Sequence, residues 1–142
     1  MSDETEKTGE PALPLGFLQM CIDRRFHRAV QERFEAETGL ATQQYWLHAE
    51  VGGSPGLAKK RREAPDYCYE NFPALRDMGW SAHGSKCGGF PGRDDDYILK
   101  KLRKIVKKRI KRYRSTHHRP IVHHVFFATD EGIWYERFPP VK

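Results

Sequence analysis

A thiol, a carboxylate and a guanidinium occupy alternate positions at Cys21, Asp23 and Arg25, directly after the apolar run Leu15-Gly16-Phe17-Leu18-Gln19-Met20. If that run is a strand, the three side chains leave its end on one side. A second stretch, His83-Gly84-Ser85-Lys86-Cys87-Gly88-Gly89, adds an imidazole and another thiol. Thiolate sulfur and neutral imidazole are the usual ligands of zinc, and catalytic zinc commonly has three protein ligands and one open position. Cys21, His83 and Cys87 make a candidate set of that kind, with Gly84 and Gly88 letting the backbone curl around an ion. Open α/β sheets place their ligands at strand ends. A zinc site joining the two stretches is therefore one chemistry that these residue types and spacings allow.

The elements that must position these residues follow from the pattern of apolar positions. Leu15 to Ile22 reads as a buried parallel strand. Phe26, Ala29, Val30 and Phe34 recur at helical spacing before the stop Thr38-Gly39, which predicts a helix over residues 26–37. Tyr45 to Val51 reads as a second strand running into the turn Gly52-Gly53-Ser54-Pro55-Gly56. Asp66 is expected to cap a helix that contains Tyr67 and Cys68, is interrupted at Pro73 and closes near Leu75 and Met78. Met78, Trp80 and Ala82 alternate with Gly79 and Ser81, which suggests a short third strand ending at His83. Asp94-Asp95-Asp96 opens a long cationic helix, where the dipole favours negative charge. Its apolar face is Ile98, Leu102, Ile105, Val106, Ile110 and Tyr113. Residues 121–127 and 133–138 suggest a closing hairpin. The expected fold is α/β, with a mainly parallel sheet of four or five strands flanked by helices.

At 142 residues and 38% hydrophobic, the chain suits one domain, expected over residues 15–142 behind a disordered acidic tail at 1–14. No stretch approaches the roughly 20 apolar residues that cross a bilayer. The start lacks the pattern of a secretory signal, so a cytoplasmic protein is expected. Three cysteines without an export signal then suggest thiols rather than bridges. The net charge of +6 is uneven, because Lys100 to Arg114 alone holds ten Lys and Arg residues. That run could follow a phosphate backbone. A non-catalytic zinc protein binding nucleic acid is accordingly the alternative to an enzyme, although a charged run is also simply a solvated helix face.

Cys21-x-Asp23-x-Arg25, followed much later by His83 and Cys87 beside the Gly88-Gly89 pair, resembles the β-class carbonic anhydrases. The likeness runs from about residue 15 onward and lies in the order of elements more than in identity. Three residues, not the family's usual two, separate His83 from Cys87, and only 20 residues stand before Cys21, so the chain resembles a shortened, divergent relative. The resemblance implies a β-carbonic-anhydrase-like fold, zinc on Cys21, His83 and Cys87, and an Asp23–Arg25 pair beside the metal. It implies reversible hydration of carbon dioxide to bicarbonate by zinc-bound hydroxide, and a homodimer with the pocket at the subunit boundary. Zinc acidifies a bound water towards neutrality, Asp23 would orient it, and Arg25 would hold Asp23 ionised through a charge-assisted pair. In the family's inactive form the carboxylate leaves the arginine for the metal, which makes Asp23 a candidate switch. A divergent relative could instead hydrolyse carbon disulfide or carbonyl sulfide.

Plainer readings stand beside these. Cys21, Asp23 and Arg25 also read as a buried thiol next to a structural ion pair. Cys68 reads as a buried helix residue and His27 as a solvent-facing residue of a first helical turn. Arg24 points away from Asp23 and Arg25 if strand geometry persists. His48, His117, His118, His123 and His124 are not assigned as ligands.

Overall fold

The computed structural model describes residues 13–57, 64–116 and 119–140. Residues 1–12 of the tail expected over 1–14, the charged run Lys59 to Glu63 and the pair His117-His118 lie outside the described residues. The chain forms an α/β fold around a five-stranded sheet of order β2-β1-β3-β4-β5. Its strands are β1 (Gly16–Cys21), β2 (Tyr45–Glu50), β3 (Asp77–His83), β4 (Val122–Thr129) and β5 (Gly132–Phe138). The first four run parallel, and β5 returns antiparallel to β4 as the expected hairpin. Helices α1 (His27–Thr38), α2 (Ala64–Asn71) and α3 (Asp95–Thr116) flank the sheet.

Both faces of the sheet are covered, which is why β1 and β3 are buried along their whole length. Alternation sorts the side chains between two cores. Leu18 and Met20 of β1 meet Val30 and Phe34 of α1, together with Phe126 and Ala128 of β4. Phe17 and Cys21 face the other way with Met78, Trp80 and Ala82 of β3, packed under Ile98, Leu102, Val106, Ile110 and Tyr113 of α3. The apolar face expected of the cationic helix is thus the face it buries. Gly79 shows why β3 carries so weak an apolar pattern. A Cβ there would lie 2.8 Å from the Phe34 ring, so β3 must be bare at this one position for Phe34 to seat.

Three local expectations are corrected. Strand geometry ends at Cys21, and residues 24–26 form a 3-10 turn before α1 begins at His27. Helix α2 stops at Asn71, ahead of Pro73, so Leu75 lies in the connection and Met78 belongs to β3. Asp66 is not a cap but a buried carboxylate of the first turn of α2. It accepts hydrogen bonds from Arg109 Nη1 at 3.1 Å and the Tyr113 hydroxyl at 2.7 Å, and pairs with Arg112 as well. Arg109, one of the ten cations of the run, is therefore turned inward and buried. Among the described residues, no helix is long and apolar enough to cross a membrane.

Buried polar chains tie the strands together. The His124 ring donates to Asp77 at 2.9 Å and accepts from the Tyr135 hydroxyl at 2.7 Å, linking β3, β4 and β5. His123 faces the α3 core, where Trp80 Nε1 donates to its Nδ1 at 3.0 Å, so the bond requires a neutral imidazole. Burial, reinforced by the neighbouring His124 and Arg114, holds its pKa down at about 3. The unfolded chain, with an ordinary imidazole near 6.5, binds the extra proton first. Stability from this site is thus complete above about pH 6.5 and falls as the pH drops towards 3. Between about pH 6 and pH 4, wild type should lose up to about 1.4 kcal/mol per pH unit more than His123→Gln in urea unfolding. Parallel pH profiles for the two proteins would show the prediction to be wrong.

Candidate metal centre

Cys21 closes β1 and His83 closes β3, so two neighbouring parallel strands deliver one thiol and one imidazole to the same edge of the sheet. The chain leaves β1 towards β2 on one side and returns through α2 to β3 on the other, which makes the β1–β3 boundary the switch point of the sheet. Pairing between the two strands ends at Gln19 and Trp80. Beyond it, the Ser81 N–H donates to Ser54 Oγ at 3.0 Å, and Ser81 Oγ donates to the Gln19 carbonyl at 2.6 Å. The glycine turn after β2 supplies that wedge. At Gly53, whose φ is +68°, a Cβ would stand 2.5 Å from the Ser81 carbonyl.

Cys87 arrives from the loop after β3, and the three expected ligands meet. Cys21 Sγ, Cys87 Sγ and a His83 ring nitrogen all lie within 4.8 Å of one another, and all three residues are buried. The sulfurs are 3.9 Å apart, and both thiols are free. Tetrahedral zinc with bonds of about 2.3 Å to sulfur sets that separation at about 3.8 Å. His83 Nδ1 lies 2.8 Å from the Gly84 carbonyl, which makes Nδ1 the protonated nitrogen and leaves the lone pair on Nε2. Among the described residues, that Nε2 is the buried side-chain polar atom without a hydrogen-bond partner. A buried acceptor left unpaired is costly, and a metal ion would satisfy it. The group can hold a metal ion.

The electrostatics agree with the geometry. Burial opposes ionisation of Cys21, but with a proton on His83 that ring's hydrogen bond and positive charge, together with backbone hydrogen bonds at Asp23 and Gly52, prevail and bring the thiol down to about 7, so a metal would displace that proton from the pair. Burial pushes Cys87 up, and the negative charge of Cys21 adds to it. One thiol of the pair ionises readily and the second does not, which is the behaviour expected of two buried sulfurs that need a cation between them.

Asp23 and Arg25 also come to the site, though by a turn rather than by strand alternation. Asp23 caps the 3-10 turn, accepting the Arg25 N–H at 3.0 Å. Arg25 Nε and Nη2 reach Asp23 Oδ2 at 3.0 and 2.9 Å. The Arg25 side chain and N–H hold the Asp23 carboxyl down at about 2. Asp23 Oδ2 stands 3.6 Å from His83 Nε2, beyond hydrogen-bonding distance. His27 is not solvent-facing: its Nε2 lies 2.6 Å from the Cys21 carbonyl. Cys68 is a buried helix residue, as expected, with its pKa raised to about 11 by burial.

The three residues between His83 and Cys87 are taken up by two successive left-handed residues, Ser85 at φ 51° and Lys86 at φ 69°. Arg25 donates to the carbonyls of both, at 3.1 Å each. Asp95, in the first turn of α3, accepts the Ser85 N–H at 3.0 Å, and Ser85 Oγ accepts the Asp130 N–H at 3.2 Å. Gly84 must be bare, because a Cβ would lie 2.4 Å from the Asp95 carboxylate. Sequence reasoning missed Asp95 and the Ser54–Ser81 wedge. The acidic triplet at 94–96 reads as a helix start, and Asp94 does accept the Tyr97 N–H at 2.9 Å, but nothing in its spacing marks the middle carboxylate as a loop anchor. No protein-family model matches the chain, and no curated protein matches it.

Arg25 thus holds both Asp23 and the loop that carries Cys87. Arg25→Gln should weaken metal binding about 10- to 100-fold, as outer-shell changes do, in competition with a chromophoric chelator. Lys86→Gly removes a left-handed side chain that costs about 1–2 kcal/mol and should stabilise the fold in urea unfolding. An unchanged metal affinity in the arginine variant would remove the anchoring role.

Proposed function

We propose that the chain is a zinc-dependent lyase that hydrates carbon dioxide reversibly to bicarbonate, with Cys21, His83 and Cys87 as the zinc ligands. The observation that carries the reading is the unpartnered His83 Nε2, buried beside two thiols at the spacing of tetrahedral zinc ligands. Two soft sulfurs and one imidazole suit zinc better than the hard cations, which prefer oxygen. Bound there, zinc supplies Lewis acidity that makes water nucleophilic near neutral pH.

The chain's own residues account for the rest. With its pKa at about 2, Asp23 is a carboxylate at neutral pH and can only accept a hydrogen bond. Its place 3.6 Å from His83 Nε2 lets it orient a water or hydroxide at the ligand cluster. Such an acid is too strong to store the released proton, so the proton must pass to solvent or buffer. The Asp23 side chain is 29% exposed while His83 is 3%, which supports a route from the buried ligands past Asp23 to water. Arg25 fixes the carboxylate in its paired orientation. The Phe26 ring, 5.3 Å from the His83 ring, gives an apolar molecule such as carbon dioxide a neighbouring wall. The homodimer implied by the resemblance belongs to this proposal, and light scattering would report it.

Purified protein should carry one zinc per chain by elemental analysis and lose it in Cys21→Ser. Stopped-flow hydration should be present in wild type and fall about 100-fold in Asp23→Asn, the loss expected when the group that orients the nucleophile is removed. Asp23→Asn should keep its zinc. Zinc without hydration would sink the carbon dioxide reading and leave a metal protein of another activity.

A further inference from the structure

Helix α3 has no acidic residue after Asp96, so its cations lack the interleaved Glu or Asp that usually balances a solvated helix. Outside the Lys100 to Arg114 run, Lys and Arg are outnumbered by the 19 Asp and Glu, which leaves the excess positive charge on this one helix. The structure divides those cations in two. Arg109 and Arg112 pair with Asp66, and Arg103 pairs with Glu136 of β5 at 3.0 Å. Lys100, Lys104, Lys107, Lys108 and Lys111 are exposed, and none is in an ion pair among the described residues. At about 100° and 1.5 Å per residue, these five fall within an arc of about 100° and extend about 17 Å along the helix.

A second observation lies at the edge of this stripe. Trp134 of β5 is 38% exposed, and the Arg103 guanidinium sits 5.7 Å from its ring centroid. Lys100 and Lys107 stand three and four residues from Arg103, on the adjoining turns of the same side of α3. An aromatic face with a guanidinium over it, joined to a row of free ammonium groups, is the pairing that single-stranded nucleic acids use: phosphates along the cations and a base on the ring. An anionic membrane fits less well. A helix lying in a lipid interface needs an apolar face to bury, and the apolar face of α3 is spent on the sheet.

We propose that the exposed lysine stripe of α3 and Trp134 form a binding surface for single-stranded nucleic acid. The surface is independent of the metal centre, so loss of hydration activity does not bear on it. The test is fluorescence anisotropy of the full chain with an end-labelled oligouridylate of about 20 nucleotides, long enough for the site sizes of such proteins. With five phosphate contacts, affinity should fall about 100-fold between about 50 and 200 mM salt. Substituting Lys104, Lys107 and Lys111 by Ala should flatten the salt slope by about 2. Trp134→Ala should weaken binding at least about fivefold and leave the slope unchanged, while Trp134→Phe, which keeps a π face, should retain most of the affinity. No binding at about 50 mM salt would overturn the proposal. So would equal affinity for a duplex of the same length with no effect of Trp134→Ala, or displacement of the oligonucleotide by vesicles of anionic lipid.

Discussion

Parallel pairing of β1 with β3 stops short of their ends, and the meeting of Cys21, His83 and Cys87 depends on that arrest. Past Gln19 and Trp80 the two strands exchange no further ladder bonds, yet the backbone groups around the gap remain satisfied. The Ser81 N–H turns to Ser54 Oγ, and the Gln19 carbonyl takes the Ser81 hydroxyl. A buried backbone group left without a partner costs about 1–3 kcal/mol, so two serine hydroxyls are what make a gap between buried parallel strands tolerable. Into that gap project Cys21 and His83, and the loop behind them brings Cys87. The glycine turn after β2 contributes no ligand. It nonetheless sets the width of the site, because Gly53 lies against the Ser81 carbonyl where no other residue would fit.

The ligand loop is held by fastenings rather than by intrinsic preference. Two left-handed non-glycine residues in succession carry a local cost of about 1–2 kcal/mol each. Arg25, Asp95 and the Asp130 N–H offset it through hydrogen bonds to Ser85 and Lys86. The Asp23–Arg25 pair is too exposed to add much to stability. Its contribution is geometric: one guanidinium fixes both the carboxylate beside His83 and the loop that presents Cys87. Strain kept at a site and fastened from three elements is the usual mark of a geometry the fold must hold.

What was legible in the sequence was whatever repeats. The parallel strands, the helix over α1 and the apolar face of α3 all follow a period of two or 3.6, and the residue types at Cys21, His83 and Cys87, taken with the resemblance in their order, picked three residues that meet. What was not legible depends on single contacts. Asp66 has the type and place of a cap, but Arg109 and Tyr113 sit forty and more residues away, and their pull is tertiary. The bareness of β3 at Gly79 is dictated by Phe34 on another element. The extra residue between His83 and Cys87 breaks the expected spacing, and only the left-handed turn through Ser85 and Lys86 absorbs it.

Helix α3 joins the two ends of this molecule. Its first turn supplies Asp95 to the ligand loop, and its middle turns seat Ile98, Leu102 and Val106 on β3 and β4. Rotation about the helix axis is then fixed by Arg109 and Tyr113, both buried with their polar ends on the Asp66 carboxylate. The same constraint decides which cations remain outside. With the apolar stripe and Arg109 turned in, the five lysines can only face water, on the side flanked by Trp134. One helix therefore carries both Asp95, which steadies the loop ahead of Cys87, and the lysine stripe, and a change that rotates α3 would disturb both.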